Sequence, residues 1–186
     1  LDNSYLCIQG PPGAGKTYTA RHIIADLLKT GKRIGISSNS HKAITNLMLG
    51  VADHALDKDI KGKLIKVGGD EEDSIFTRAN VHYLKNARAC GRDLDEAPIC
   101  VGGTAWLFCN DITSPGEGFE PFDYLFVDEA GQVSLANLVG MSRAAKNIIM
   151  MGDQMQLGQP IQGSHPDESG QSVLEYLLQD QATIAP

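Results

Sequence analysis

Residues 10–17 read Gly10-Pro11-Pro12-Gly13-Ala14-Gly15-Lys16-Thr17, directly after the apolar run Tyr5 to Gln9 and directly before a segment in which Ala20, Ile23, Ile24, Leu27 and Leu28 recur at helical spacing. The octapeptide is a full match to GxxxxGK followed by Ser or Thr, in the strand, loop and helix setting of a phosphate-binding loop. Glycines there let backbone N–H groups converge on phosphate oxygens, and the helix N-terminus adds positive potential. Lys16 is expected to reach the β and γ phosphates of a nucleotide and the Thr17 hydroxyl to ligate Mg²⁺, with Gly10, Pro11, Pro12, Gly13, Ala14 and Gly15 completing the cradle.

Outward from this loop, short apolar runs alternate with helix-period segments. Tyr5 to Gln9, Arg33 to Ser37, Leu64 to Val67, Ile99 to Gly102, Tyr124 to Val127 and Asn147 to Met151 read as strands. Such alternation predicts an α/β fold, a parallel sheet with helices on both faces. Gly31 stands where a left-handed helix end is expected, Ser40 caps a helix with the apolar face Ile44, Leu47, Met48, Val51 and Ala55, and Ser172 with Glu175 forms a capping-box pattern. Residues 68–97 are polar and longer than an ordinary connection, and are read as a small insertion that leaves the sheet with some helix of its own, within one domain over residues 1–186.

A phosphate loop alone does not separate a kinase from a switch or a motor. Phe122 to Val127 is an apolar strand ending in Asp128 and Glu129, the arrangement in which the first acid holds the magnesium shell and the second orients or deprotonates an attacking water. A third stretch, Met151-Gly152-Asp153-Gln154-Met155-Gln156-Leu157, also follows a strand, where Gln156 is a candidate reporter on the γ-phosphate and a polar turn without function is the alternative.

Composition bounds the rest. The chain has 186 residues, 42% apolar and 21% charged, enough for an ordinary core, and no apolar run approaches the ~18 residues that span a bilayer. The net charge of −7 argues against holding nucleic acid by bulk electrostatics, although residues 1–66 carry ten Lys/Arg against five Asp/Glu, while 67–120 carry four against ten and 121–186 two against eight. Cys7, Cys90, Cys100 and Cys109 show no metal-ligand spacing and read as free thiols of a reducing cytosol. The chain opens at Leu1 and stops at Pro186 in no recognisable terminus, which reads as a monomeric fragment cut from a longer protein.

Together the motifs resemble the first RecA-like domain of superfamily 1 helicases, in the 5′-to-3′ branch. IQGPPGAGKT is similar to motif I of that branch, VDEAGQ to motif II with Gln132 in the expected nucleotide-binding place, and MGDQMQL to motif III. Ile36 to Ile44 looks like motif Ia and Val101 to Ala105 like the Gly-Thr element. The resemblance implies that Ser38, Asn39, Ser40, His41, Gly103 and Thr104 face a nucleic-acid backbone, and that Lys16, Glu129 and Gln156 are catalytic. The tail from Gly158 is similar to prokaryotic members often joined to a RecB-like nuclease.

The implied function is an ATP- and Mg-dependent motor on single-stranded nucleic acid, DNA before RNA, in the cytoplasm, with a second RecA-like domain and its arginine supplied from outside residues 1–186. The alternative is a nucleotide-dependent switch or binding module that does not translocate. The resemblance further implies that the strands carrying motifs I and II flank the motif III strand. Of the isolated residues, Trp106 reads as core in preference to a base-stacking platform, His165 as a surface residue, and His41 beside Lys42 equally as a phosphate contact and as a solvated helix start.

Overall fold

The computed structural model describes residues 1–70, 80–90, 94, 96–113, 120–153, 166–179 and 181. Among them seven strands form one sheet: β1 (Tyr5–Gln9), β2 (Arg33–Ser37), β3 (Lys63–Val67), β4 (Val81–Leu84), β5 (Ile99–Gly102), β6 (Phe122–Val127) and β7 (Ala145–Gly152). Their order is β1-β7-β6-β2-β5-β3-β4, and every pairing is parallel. The motif III strand β7 therefore lies between β1 and β6, as the resemblance implies. All carboxyl ends lie along one edge, so residues following each strand meet there.

Among the described residues five α-helices cover the sheet: α1 (Lys16–Lys29), α2 (His41–Asp57), α3 (Ala105–Phe108), α4 (Leu135–Ser142) and α5 (Val173–Leu178). Alternate strand residues separate into two cores. Leu64, Cys100, Phe126 and Ile149 pack with Ile24 and Leu28 of α1 and with Ile44, Leu47 and Met48 of α2. Their neighbours Ile65, Val101, Leu125 and Met150 pack with Phe108 of α3, Met141 of α4 and Leu174 of α5. Helices thus occupy both faces of a parallel sheet.

The local signals in the sequence act where expected. Gly31 follows α1 at φ 80°, Ser40 accepts a hydrogen bond from the Ala43 N–H, and Ser172 and Glu175 complete both halves of a capping box. The stretch 68–97 departs from its reading as an excursion. Val81–Leu84 returns to the sheet as the edge strand β4, with Leu64 beside Val81 and Val67 beside Leu84. Ala87–Ala89 makes one short 3₁₀ turn, and Cys90 and Leu94 are buried in the core. A four-residue strand with one buried residue carries too little periodicity to be seen in sequence. Residues 71–79, 91–93 and 95 of that stretch lie outside the described set.

Gly35, at the centre of β2, has no room for a side chain. A Cβ there would stand 2.7 Å from Phe108 Cε1 and 2.9 Å from Leu125 Cδ1. Gly35→Ala is expected to destabilise by about 1–3 kcal/mol through overpacking, seen as a drop in Tm of several degrees; an unchanged Tm would show that Phe108 yields freely.

Candidate active site

The loop after β1 turns on two left-handed glycines, Gly13 at φ 80° and Gly15 at φ 82°. Gly15 is the N-cap of α1, and no side chain caps that helix, whereas α2, α4 and α5 are each capped by a serine hydroxyl. The first N–H groups of α1 are thereby left for an anion, in the field of the helix dipole. Lys16 folds back over the loop, its Nζ donating to the carbonyls of Gly10 (2.5 Å) and Pro11 (2.9 Å). The Gly10 N–H donates to the Gly152 carbonyl at 3.1 Å, fixing the loop to the end of β7.

Asp128 follows β6 and is 7% exposed. Its N–H donates to the Ser37 carbonyl and its carboxylate accepts the Glu129 N–H at 2.9 Å. Burial raises its pKa above the ordinary carboxylate value, the nearby Glu129 charge adds to this, and the Glu129 N–H and Lys16 oppose it. Glu129 sits at φ 56°, ψ 40°, a left-handed conformation that costs a non-glycine residue on the order of 1–3 kcal/mol. Its Oε2 accepts a hydrogen bond from the Ser38 hydroxyl at 3.1 Å.

These elements enclose a cavity of about 330 Å³, whose lining includes Gly13, Lys16, Thr17, Asp128, Glu129 and Asp153. The donor set fits a nucleotide phosphate with a divalent cation. Uncapped helix N–H groups and an ammonium face an anion, and a hydroxyl beside a buried carboxylate is a hard oxygen pair of the kind Mg²⁺ takes.

Seven of the expected residues, Pro12, Gly13, Gly15, Lys16, Thr17, Asp128 and Glu129, therefore meet at one cavity. Gly10 and Pro11 hold the lysine from behind, and Ala14 closes the turn by donating its N–H to the Pro11 carbonyl. Gln132 does not line the cavity: its carbonyl accepts from the Asn39 amide and its N–H donates to the Glu129 carbonyl. Gln156 lies outside the described residues. Sequence reasoning left Gly152 and Asp153 without a role, although both line the cavity; the signal was present in the quoted Met151-Gly152-Asp153.

The residues expected to face nucleic acid follow β2 and β5, adjacent strands, and so share one edge. Two of them turn inward. Ser38 is 1% exposed with its hydroxyl committed to Glu129, and Gly103 is buried with its N–H donating to the Ile36 carbonyl. Ser40 caps α2, and Thr104 precedes α3 half-buried without capping it. His41 is half-buried and not a solvated helix start. Buried Lys66 donates to its Nδ1 at 3.0 Å and to the Gly68 carbonyl at 2.6 Å, leaving Nε2 as the proton-bearing nitrogen. Burial, then the Lys66 charge, lowers the His41 pKa. Trp106 corrects its reading as core: it is 85% exposed. The single turn of α3 buries Leu107 and Phe108 and leaves the residue before them facing outward.

Comparison with known proteins settles the family. Residues 2–169 match the family described as the AAA domain. The chain belongs to that family. It is 31% identical over 157 residues to the DNA replication ATP-dependent helicase/nuclease of Saccharomyces cerevisiae, covering 82% of this chain and 10% of that protein. It is 28% identical over 175 residues to the enzyme of the same description from Arabidopsis thaliana, covering 91% and 12%. The chain thus spans about a tenth of these relatives' length. Among solved structures, a nuclease-deletion mutant of the Type ISP restriction-modification enzyme LlaGI, in complex with a DNA substrate mimic, shares the fold with a TM-score of 0.58 at 16% identity, over 81% of this chain and 15% of that one. Fold and family make this chain an AAA domain built on a RecA-like parallel sheet. No helix among the described residues is long and apolar enough to cross a membrane.

Lys16 is the only side-chain cation lining the cavity among the described residues. Lys16→Ala in the protein carrying this AAA domain is expected to weaken Mg·ADP binding at least about tenfold, the scale of one lost charge-assisted hydrogen bond. Equal affinities by calorimetric titration would overturn the assignment.

Proposed function

We propose that residues 1–186 hydrolyse Mg·ATP to drive motion along single-stranded DNA, together with a second RecA-like domain that supplies the catalytic arginine. The observation that carries this reading is the shared edge. Lys16, Asp128 and Glu129 line the nucleotide cavity at the ends of β1 and β6, and Asn39 to His41 and Thr104 to Trp106 follow the adjoining β2 and β5. The relatives' description as DNA replication helicase/nucleases and the DNA mimic held by the LlaGI mutant support the choice of partner.

Within this function each residue has a definite task. Thr17 and Asp128 would hold Mg²⁺, which when bound supplies charge neutralisation on the phosphate oxygens. Lys16 and the uncapped N–H groups of α1 bind and orient the phosphates, so the reacting groups meet with their entropy already lost. Glu129, kept by its left-handed backbone beside the cavity, orients the attacking water and accepts its proton. Gln156 reports on the γ-phosphate. On the DNA side, Ser40, His41 and Thr104 offer hydroxyls and the Nε2–H of a neutral imidazole to phosphates, and Trp106 offers a face to a base. Such contacts suit a chain of net charge −7, which cannot rely on a basic surface.

Two substitutions test the two halves separately in the complete protein. Glu129→Gln is expected to abolish steady-state turnover while leaving nucleotide affinity intact, because it removes the proton acceptor and spares Thr17 and Asp128; turnover within a few-fold of wild type would refute the role. Trp106→Ala should leave Tm unchanged, the side chain being exposed, and weaken oligo-dT binding by the ~1–3 kcal/mol of one base stacked on an aromatic ring. Unaltered fluorescence-anisotropy titrations would remove Trp106 from the DNA path. If single strands bind and alter partner affinity but never accelerate ATP turnover, the chain is a nucleotide-dependent switch and not a motor.

A further inference from the structure

We propose that Tyr18 is the platform on which the base of a bound nucleotide stacks, and that it makes the site prefer purine over pyrimidine nucleotides. The proposal deepens the reading of the cavity as a nucleotide site and rests on it.

Of the described residues that line the cavity, Tyr18 is the aromatic one. It is the third residue of α1, directly after Lys16 and Thr17. Helical side chains lean toward the N-terminus of their helix, so the ring stands beside the phosphate cradle and not a turn away from it. A nucleotide held by its phosphates keeps its base outside the loop, and a flat aromatic surface at the rim is what a base of any sequence can use. Tyr18 belongs to neither core of the sheet and is 59% exposed.

An exposed tyrosine is ordinarily free to turn, but this one is braced. Arg21, three residues along α1, sets its guanidinium carbon 4.2 Å from the ring centroid, and His22 leans on the same ring with centroids 4.6 Å apart. Both supports are themselves held by α2. The Arg21 stem runs over Gly50, where a Cβ would stand 3.0 Å from the Arg21 Cδ. His22 Nδ1 and His54 Nε2 lie 3.2 Å apart, with their rings at 75°. Three side chains from two helices therefore fix an aromatic ring that the fold does not bury. A ring fixed before its ligand arrives has little freedom left to lose on stacking.

Stacking reads the face of a base and not its hydrogen-bonding edge. Adenine and guanine are therefore equal on Tyr18, whereas a one-ring pyrimidine covers less of it.

The test uses the complete protein carrying this domain, with Tyr18→Ala, and Tyr18→Phe as the variant that keeps the ring. Affinities for Mg·ADP, Mg·GDP, Mg·CDP and Mg·pyrophosphate are measured by calorimetric titration, pyrophosphate having the phosphates without the base. Wild type is expected to bind ADP and GDP about fivefold or more tighter than CDP. Tyr18→Ala should weaken ADP and GDP alike by about tenfold, within the range for one base lost from an aromatic ring, and leave pyrophosphate affinity unchanged. Tyr18→Phe should keep the wild-type values. An equal loss for ADP and pyrophosphate in Tyr18→Ala would show that Tyr18 only shapes the phosphate cradle, and overturns the platform. A wild type that binds CDP as tightly as ADP overturns it as well, and that outcome needs no variant to fold. A wild type that binds neither ADP nor pyrophosphate fails the nucleotide reading itself, whereas a working site whose ADP affinity Tyr18→Ala leaves unmoved fails the platform alone.

Discussion

Behind the cavity two backbones approach so closely that neither tolerates a side chain. A Cβ on Gly131 would stand 2.5 Å from the Asp153 carbonyl oxygen, and one on Gly152 would stand 2.9 Å from the Gly131 nitrogen. This contact seats the turn after β6 against the end of β7, and the Gly10 N–H, bonded to the Gly152 carbonyl, seats the phosphate loop against the same strand end. Lys16, Asp128 and Asp153, far apart in sequence, line one cavity because β7 is a shared wall between β1 and β6. Widening that contact by one methyl group would separate the ammonium from the carboxylates it works with.

The two edges of the sheet use charge differently. At the amino edge, Lys32 and Lys146 reach Asp123, Lys146 also reaches Glu120, and Arg33 spends its guanidinium on Glu120 and on the Leu94 carbonyl. The lysine pairs are part-exposed and of the kind that contributes little, whereas Arg33 is buried and ties the loops before β5 and β6 together. At the carboxyl edge, Asp128 is buried and its pKa is pushed up by burial, and Glu129 is held in a strained backbone. Strain and a costly buried charge lie where a ligand can relieve them, and paired charge lies where the fold alone has to be held.

What could be read in the sequence was local. The loop from Gly10 to Thr17, the acids after an apolar strand and the serine caps are each written within eight residues; the structure brings the loop and the acids to one cavity and places the caps of α2 and α5 as read. The position of β7 came from family resemblance, since no spacing of apolar residues states which strands are neighbours. β4 escaped because four residues with one buried side chain carry no usable period. Trp106 misled because it stands in the apolar run AWLF, and only the shortness of α3 turns that residue outward. The partner of Ser38 was beyond local reading: a serine after a strand looks the same whether its proton goes to a phosphate or to a carboxylate 91 residues away. Gly131 was the legible trace of the close backbone approach, and without coordinates a glycine there could equally have been a turn.

Strand order also explains why the two proposed sites can lie close together. Asp128 and Glu129 follow β6, Thr104 and Trp106 follow β5, and β2 is the one strand between them. Parallel neighbours lie ~4.8 Å apart, so the loop after β2 lies within two strand spacings of both sites. A domain with a basic groove could bind DNA without any particular loop geometry, because Coulomb attraction tolerates displacement. In a chain of net charge −7 the proposed DNA contacts are hydroxyl and imidazole donors and a stacked ring, whose strength falls off steeply with misplacement.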